Sequence, residues 1–168
     1  MADITRDKFI PMIDIAETEG SGPHTANYVP IDLSTVFELV YNAQTETYGY
    51  ICYANDVTEI NGYQPSMEQQ IRIDGTNPLY KWMLPYMRSM PTGSDAVRPV
   101  LIVYPDLTTG EATDGDLFPE AKVIPGTINS VDHILTFTLS LDGNRQPGTV
   151  AKSDSSVTFT PASEDPEE

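Results

Sequence analysis

Few side chains in this sequence are suited to chemistry, and their spacing fits no catalytic motif. The two histidines are His24, in the loop-like segment EGSGPH, and His133, at the start of a candidate strand. We interpret both as loop or surface residues. The sequence has no GxSxG, HExxH, P-loop or GxGxxG pattern. Since an enzyme needs a convergent set of reactive groups, we expect no catalytic residues and no cofactor.

Acidic side chains are numerous, but their pattern favours solvated turns over a metal site. The segment TTGEATDGD (108–116) offers carboxylates and glycines suited to Ca²⁺, but it lacks the EF-hand spacing. With 25 Asp and Glu residues, pairs such as Asp114 and Asp116 arise by chance. Cys52 is the only cysteine, so an intrachain disulfide is excluded and a buried, inert thiol is expected. We therefore expect no metal.

The excess of acidic over basic residues excludes a further class of function. Nine Lys and Arg face 25 acids, which gives a formal charge of -16. No Lys or Arg occurs between Phe9 and Ile71, a stretch that carries nine acids. Such a surface repels phosphates at long range, so DNA binding through a basic patch is excluded. A strongly acidic surface can serve only to keep a protein soluble, or it can let DNA pass along the protein without binding. The composition alone does not distinguish these two roles.

The length of 168 residues predicts a single domain. No apolar run approaches the roughly 18 residues that a membrane span needs. The N-terminal sequence MADITRDKF lacks the basic and apolar regions of a signal peptide. We expect a soluble protein made and kept in a reducing compartment.

The elements that would position any site are mainly strands. SMEQQIRI (66–73) and DHILTFTLSL (132–141) alternate apolar and polar residues, whereas RPVLIVY (98–104) is continuously apolar, as in a strand covered on both faces. Further candidate strands are ETYGYICY (46–53), EAKVIPG (120–126) and SSVTFTP (155–161), and 32–41 fits a strand or a short helix. NG, TG and DG pairs at 61–62, 109–110, 114–115 and 142–143 indicate turns, and 54–65 and 105–119 are predicted to be long loops.

One α-helix is predicted at about 77–90. Asn77 is a suitable N-cap, Pro78 follows at the first helical position, and Pro85 lies inside the helix. The helix is apolar almost all round, which indicates that it is covered on more than one side. The sequence therefore predicts a mainly β fold, a β-sandwich or partly closed barrel of about six to eight strands with one flanking helix. We divide the chain into an N-terminal arm (1–28), one sandwich domain (29–161) and a flexible acidic tail (162–168).

A longer pattern resembles a known family. The features are Gly62-Tyr63-Gln64-Pro65, a strand ending at Asp74-Gly75, Asn77-Pro78 opening an aromatic helix, a Pro-Thr-Gly exit, and a strand ending at Val103-Tyr104-Pro105. Together with VIPGTINSVDHILTFTLSLDG (123–143), this pattern resembles the major tail proteins, or tail tube proteins, of long-tailed phages and prophages of Gram-positive bacteria. The resemblance covers residues 45–145.

This resemblance implies a structural virion protein made in the host cytoplasm. Its subunits would form homohexameric rings whose inner sheets join into one barrel, and the rings would stack into a hollow tail tube around a tape measure protein. Further implied partners are the tail terminator and tail-tip proteins, and DNA would pass through the lumen without specific binding during ejection. Open strand edges and long loops suit such heterologous contacts.

Two sets of residues are candidates for this role. The polar faces of the strands would line the lumen at Glu68, Gln70, Thr136, Thr138 and Ser140, unless those faces are outer surface. The candidate ring-stacking and subunit contacts, in the arm, the 54–65 segment and the helix, are Ile10, Met12, Ile13, Ile60, Tyr63, Trp82 and Tyr86.

Other functions stay open. A contractile-tail inner tube or a type VI secretion ring protein would share the fold and carry a different payload. A capsid decoration or head–tail joining protein would bind capsids. A carbohydrate-binding β-sandwich would use aromatic residues such as Tyr48, Tyr50 and Tyr53, although aromatic strand residues usually form core or cross-strand pairs.

Overall fold

The structure, a computed structural model, describes residues 6–16, 25–109, 111–153 and 156–162. It is mainly β with one α-helix, which confirms the predicted fold class. The described residues contain twelve strands rather than six to eight. The strands are β1 (Ile10–Asp14), β2 (Tyr28–Pro30), β3 (Leu39–Val40), β4 (Ala43–Tyr48), β5 (Val57–Tyr63), β6 (Ser66–Arg72), β7 (Val100–Pro105), β8 (Ala112–Phe118), β9 (Lys122–Asn129), β10 (Ile134–Ser140), β11 (Gln146–Ser153) and β12 (Ser156–Pro161).

These strands form three antiparallel sheets. The six-stranded sheet has the order β12-β11-β8-β7-β1-β2, and the four-stranded sheet has the order β3-β6-β10-β9. The strands β4 and β5 pair only with each other, as a hairpin between β3 and β6 in the chain. Short 3₁₀ helices occupy Arg6–Lys8 and Gly93–Ala96.

The main core lies between the two larger sheets. Alternation in β6 points Met67 and Ile71 inward, and β10 contributes Phe137 and Leu139 in the same way. These side chains meet Ile102 and its buried neighbours from the six-stranded sheet. The predicted inward faces of both alternating strands are therefore confirmed.

A second core covers the other face of the six-stranded sheet. Leu101 and Val103 of β7 pack there with Met12 of β1 and Val150 of β11. The sheet curls so that Phe159 of β12 packs against the same cluster. The strand β7 is thus covered on both faces, as its continuous apolar sequence predicted.

The structure differs from the predicted N-terminal arm over residues 10–14. They form β1, which lies inside the six-stranded sheet between β2 and β7. The buried Asp14 carboxylate accepts hydrogen bonds from the backbone N–H groups of Ala16 (3.0 Å) and Asn27 (2.8 Å). These bonds hold the end of β1 near the start of β2. The short apolar run IPMID has too little periodicity to reveal a strand by itself.

The helix α1 spans Pro78–Ser89, as predicted. The Asn77 side chain accepts a hydrogen bond from the Tyr80 N–H (3.1 Å) and donates one to Asp32 (2.9 Å). The helix buries Leu79 and Met83 in the main core, with Tyr86 and Met87. The described helices include none long and apolar enough to cross a membrane.

Several predicted loops and turns are strands. The segment 54–65 contains β5, and Asn61 in its NG pair is the extra residue of a bulge opposite β4 rather than a turn. The segment 105–119 contains β8, and Gly115 lies inside that strand. A Cβ on Gly115 would lie 2.5 Å from a Val150 methyl, so this glycine permits close packing of β11. The predicted turn at 142–143 is present, with Gly143 at φ 77°.

Three further predictions change in detail. The segment 32–41 is neither a full strand nor a helix, because only an isolated bridge at Ser34 and the short β3 occur there. The predicted strand 46–53 ends at Tyr48, and the chain turns after it. Cys52 is exposed rather than buried. The predicted tail at 162–168 and His24 lie outside the described residues, except for Ala162.

Candidate assembly interface

The five candidate lumen residues lie together on one face of the four-stranded sheet. In the register of β6 and β10, Thr136 is opposite Gln70 and Thr138 is opposite Glu68. Ser140 lies at the end of the same row, opposite Ser66. This surface, formed by Glu68, Gln70, Thr136, Thr138 and Ser140, is called the polar face below. It is turned away from the core, because the alternate residues of both strands are buried.

Hydrogen bonds between two threonines, Thr127 of β9 and Thr136 of β10, connect β9 to the polar face. The Thr136 hydroxyl accepts a hydrogen bond from the Thr127 N–H (2.9 Å) and lies 2.8 Å from the Thr127 hydroxyl. A Cβ on Gly126 would lie 2.6 Å from the Thr136 carbonyl oxygen, so only glycine fits at this bulge. A shallow groove of about 290 Å³ runs here, lined by Val36, Glu68, Gly126 and both threonines of β10.

A charge cluster closes one end of the polar face. The Lys122 ammonium lies 2.6 Å from the Asp142 carboxylate, whose other oxygen accepts from the Ser140 hydroxyl at 2.7 Å. The hydrogen bond from Lys122, followed by that from Ser140, holds the pKa of Asp142 below its usual range. The positive charge of Lys122 is therefore balanced locally.

Both edges of the four-stranded sheet carry exposed apolar side chains. On the β3 side these are Phe37, Val40 and Tyr41. On the β9 side they are Ile124, Ile128 and Val131. Edge strands present unpaired backbone groups that a further strand can bind. Apolar side chains at both edges suit a contact in which one edge meets the opposite edge of another copy.

The β4–β5 hairpin is exposed along nearly its whole length. Its tip, residues 49–55 (GYICYAN), contains Ile51, which is fully exposed, and Tyr50 and Tyr53, which are 45% and 62% exposed. The Tyr50 ring lies 5.9 Å from the Tyr48 ring and 6.0 Å from the Tyr53 ring, measured between centroids. The tip is thus an aromatic cluster directed at solvent.

A cleft of about 740 Å³ opens at the base of the same hairpin, between the two larger sheets. Its apolar lining comes from Leu39, Tyr41, Tyr63, Pro65, Tyr104, Phe118 and Leu141, and its polar lining includes Asp116, Asp142 and Arg145. Burial, together with the nearby Asp116 charge, raises the pKa of Tyr104 above its usual range, so this phenol stays neutral. The Arg145 guanidinium lies 3.2 Å from Asp116 at the rim.

The candidate contact residues are distributed between the surface and the interior. Ile60 and Tyr63 are exposed on β5. Ile10 is half-buried, and Met12 and Ile13 are buried, so the structure places these two in the core of the protomer rather than on a surface.

The helix residues Trp82 and Tyr86 stack on each other, with ring centroids 4.7 Å apart. The Tyr86 hydroxyl donates to the Val123 carbonyl at 2.7 Å, so Tyr86 is occupied within the protomer, while Trp82 is partly exposed. The Arg98 guanidinium lies over both rings, at 6.0 Å from Trp82 and 5.7 Å from Tyr86. The stack therefore secures the helix on its own sheet.

Sequence reasoning missed the hairpin tip and the cleft. Tyr50 and Tyr53 belong to the predicted strand 46–53, in which aromatic residues are expected to form core or cross-strand pairs, but the strand ends at Tyr48. The cleft is lined by residues from Leu39 to Arg145, far apart in the chain, and no local pattern brings them together. Within the described ranges, no three His, Cys, Asp or Glu side chains are grouped to hold a metal ion.

Comparison with known proteins shows the fold alone. No protein-family model matches the sequence, and no curated protein sequence matches it either. Among solved structures, the chain is similar to one described as an extracellular contractile injection system, PVC sheath/tube terminator in the extended state. The TM-score is 0.53 at 10% identity, over 88% of this chain and 97% of that one.

A second similar structure is the PVC sheath–tube complex of such a system in the extended state. Its TM-score is 0.50 at 12% identity, over 88% of this chain and 93% of the other. The fold of this protein is therefore similar to one found in extracellular contractile injection systems.

Proposed function

We propose that this protein is a structural tail protein that assembles into hexameric rings, and that these rings stack into the hollow tube of a phage tail. The observation that carries the proposal is the four-stranded sheet. One of its faces belongs to the core, the other is mainly polar, and both of its edge strands carry exposed apolar residues. The fold shared with components of contractile injection assemblies supports the same role.

Ring formation follows from the two edges. If the β9 edge of one copy meets the β3 edge of the next, Ile124 and Ile128 approach Phe37 and Val40, and the sheet continues across the contact. This contact is heterologous, and a fixed rotation between copies closes it into a ring. The polar face would then line the inside of the ring.

A lumen lined by the polar face suits the passage of DNA. Thr136, Thr138 and Ser140 bring uncharged hydroxyls, Glu68 brings a negative charge, and Lys122 is balanced by Asp142. Such a wall leaves the counterions on the DNA phosphates. Contact between DNA and the wall therefore gains no free energy from counterion release. The formal charge of -16 acts in the same direction at longer range.

The proposal includes the remaining partners that the sequence resemblance implies. They are a tape measure protein inside the tube, and terminator and tip proteins at its ends. The protein would be made in the host cytoplasm and reside in the virion of a long-tailed phage or prophage of Gram-positive bacteria. The exposed hairpin, with Ile60 and Tyr63 on β5, would contribute to stacking between rings.

Negative-stain electron microscopy of the purified, concentrated protein tests the assembly. We expect sixfold rings or hollow tubes. The variant Ile128→Lys, which places a charge on the β9 edge away from the polar face, should leave the protein folded and abolish rings. Rings that persist in this variant, with a normal diameter, would exclude the β9 edge as the contact.

The wall assignment has its own test, in phage particles that carry the variant. Thr138→Lys adds one positive charge per subunit to the polar face and should slow DNA ejection while tubes still assemble. Thr138→Gln is the matched control, of similar length and without the charge. Equal ejection rates in the two variants would place the polar face outside the lumen.

A second candidate is the inner tube, or its terminator, in a contractile or type VI secretion-like system. The two similar structures favour it, because both come from a contractile assembly. A terminator would form single rings that do not stack, whereas a tube protein would form long tubes. The length distribution of the assembled particles therefore separates these candidates.

A further inference from the structure

Asn61 and Gly62 form the one Asn-Gly pair of the sequence, and the fold does not use this pair as a turn. The pair lies on β5, in the bulge opposite Gln44 and Thr45 of β4. Asn61 has no partner residue on β4, and its side chain is exposed. Because a bulge interrupts the ladder, the backbone at Asn61 is held by fewer hydrogen bonds than the residues on either side.

An asparagine followed by glycine is prone to deamidation, because its side chain can react with the next backbone nitrogen. The Gly62 nitrogen would attack the Asn61 amide carbon, Cγ, and close a five-membered succinimide ring as the Cγ–Nδ2 bond breaks. The attacking nitrogen loses its proton, and the amide nitrogen leaves as ammonia. Water then opens the ring at either carbonyl, which gives aspartate or isoaspartate. The reaction consumes only water.

The surroundings of the bulge favour this reaction. A Cβ placed on Gly62 would meet no atom within 4 Å apart from its chain neighbours, so the space beside the reacting nitrogen is open. The exposure of Asn61 gives water access to the carbonyls of the ring. The missing ladder partner leaves the backbone freer to rotate toward the geometry that ring closure needs.

The Asn61 amide also offsets a repulsion between the two strands of the hairpin. Glu46 lies directly opposite Glu59, and like charges in this position destabilise a sheet. Residues 43–63 contain no Lys or Arg that could balance them. The Asn61 Nδ2 donates a hydrogen bond to Oε2 of Glu46 at 3.2 Å. Tyr48 bonds to Glu46 as well, and this hydrogen bond raises the pKa of the Tyr48 phenol.

We propose that Asn61 is a site of spontaneous deamidation and that its conversion weakens the β4–β5 hairpin. Both products replace the Asn61 donor with a third carboxylate beside Glu46 and Glu59. Isoaspartate also adds one carbon to the main chain, which displaces the part of β5 beyond the bulge relative to β4. The reaction needs only the folded chain and water, so it is independent of the proposed assembly.

Peptide mapping by mass spectrometry tests the site, in purified protein kept folded at mildly alkaline pH. We expect Asn61 to gain about one dalton and to yield isoaspartate, with fragment spectra assigning the change to this residue. Asn129 and Asn144 are exposed internal controls that serine and arginine follow, and they should react more slowly. Isomerisation at the Asp-Gly pairs releases no ammonia and changes no mass. Conversion of Asn61 no faster than that of Asn144 would overturn the proposal.

The variant Gly62→Ala is the matched control for the mechanism. It should fold normally, because Gly62 does not adopt a positive φ and its added Cβ has open space. Alanine restricts the backbone that must rotate for ring closure, so conversion of Asn61 should slow at least ~5-fold. An equal rate in this variant would exclude attack by the Gly62 nitrogen and refute the site as described.

The effect on the hairpin is measured by amide hydrogen exchange of the variant Asn61→Asp, which contains one of the two products from the start. Amides of β4 and β5 should exchange about 2- to 5-fold faster than in the wild type, because the new charge adds to an existing repulsion. Asn61→Ala, which removes the donor without adding a charge, should be affected less. Amides of β6 and β10 should not change. Exchange in β4 and β5 equal to that of the wild type would refute the weakening.

Discussion

The two larger sheets share one core but differ in what covers their second faces. The six-stranded sheet curls, so that Met12, Leu101 and Val103 are buried on its far side. The four-stranded sheet has only polar or half-exposed side chains on its far side, from Glu68 to Ser140. One sheet is therefore covered on both faces within the protomer, whereas the other has one face that no other part of the described chain covers.

The largest expected effect separates the two faces of the four-stranded sheet. Phe137→Ala, which removes a buried ring from the main core, should lower the free energy of unfolding by about 3–5 kcal/mol. Thr138→Ala, one residue along on the polar face, should change it by less than about 0.5 kcal/mol. Chemical denaturation measures both. Similar losses in the two variants would mean that the polar face is covered within the protomer.

The next effect tests the second core of the six-stranded sheet. Met12 is buried there, so Met12→Ala should cost about 2–5 kcal/mol of unfolding free energy. Val40→Ala, at an exposed position on the edge of the other sheet, is the control. If Met12→Ala were as mild as the control in the same denaturation experiment, residues 10–14 would behave as a detachable arm.

A smaller effect is expected at the helix that packs on the main core. Asn77→Ala removes both the cap on the Tyr80 N–H and the bond to Asp32, and should cost about 1–2 kcal/mol. Asn77→Ser keeps a cap acceptor and should lose less. Thermal unfolding monitored by circular dichroism provides the comparison, and equal losses would assign the effect to Asp32 instead of the cap.

The smallest effect depends on pH and concerns the end of the polar face. The pKa of Asp142 is lower in the folded protein, so its ion pair stabilises the fold above the unfolded pKa of about 4 and this contribution is lost as pH falls through the folded value. Asp142→Asn should therefore cost ~0.2–1 kcal/mol at pH 7 and close to nothing at low pH. A Tm difference that does not narrow on acidification, or that is insensitive to salt, would contradict this.

The strength of each sequence signal explains which elements were predictable. The strands β6, β7 and β10 were predicted because alternation, or an unbroken apolar run, follows directly from how their faces are covered. The helix was predicted from its cap and proline. In contrast, β1, β2, β5, β8 and β11 are short, bulged, or rich in polar and glycine residues, and they are strands because neighbouring strands pair with them.

The candidate surfaces, too, were predictable from the sequence only in part. The polar face was predictable in composition, because the outward residues of β6 and β10 are polar in sequence. That Thr136 lies opposite Gln70 and Thr138 opposite Glu68 required the strand register. The placement of Met12 inside the protomer also required the sheet order, since its sequence suits a covered arm and a buried strand equally well.

The sequence by itself determined the mainly β class, the helix, the acidity and the inward and outward faces of the strongest strands. These properties are local, since the period of a strand, a helix cap and a net charge are visible in consecutive residues. Only the tertiary structure decided that the aromatic tip is exposed and that a cleft opens at the base of its hairpin. The cleft is lined by Leu39, Tyr104, Leu141 and Arg145, which come together only when distant strands pair, and the tip is exposed because β4 and β5 join neither of the larger sheets.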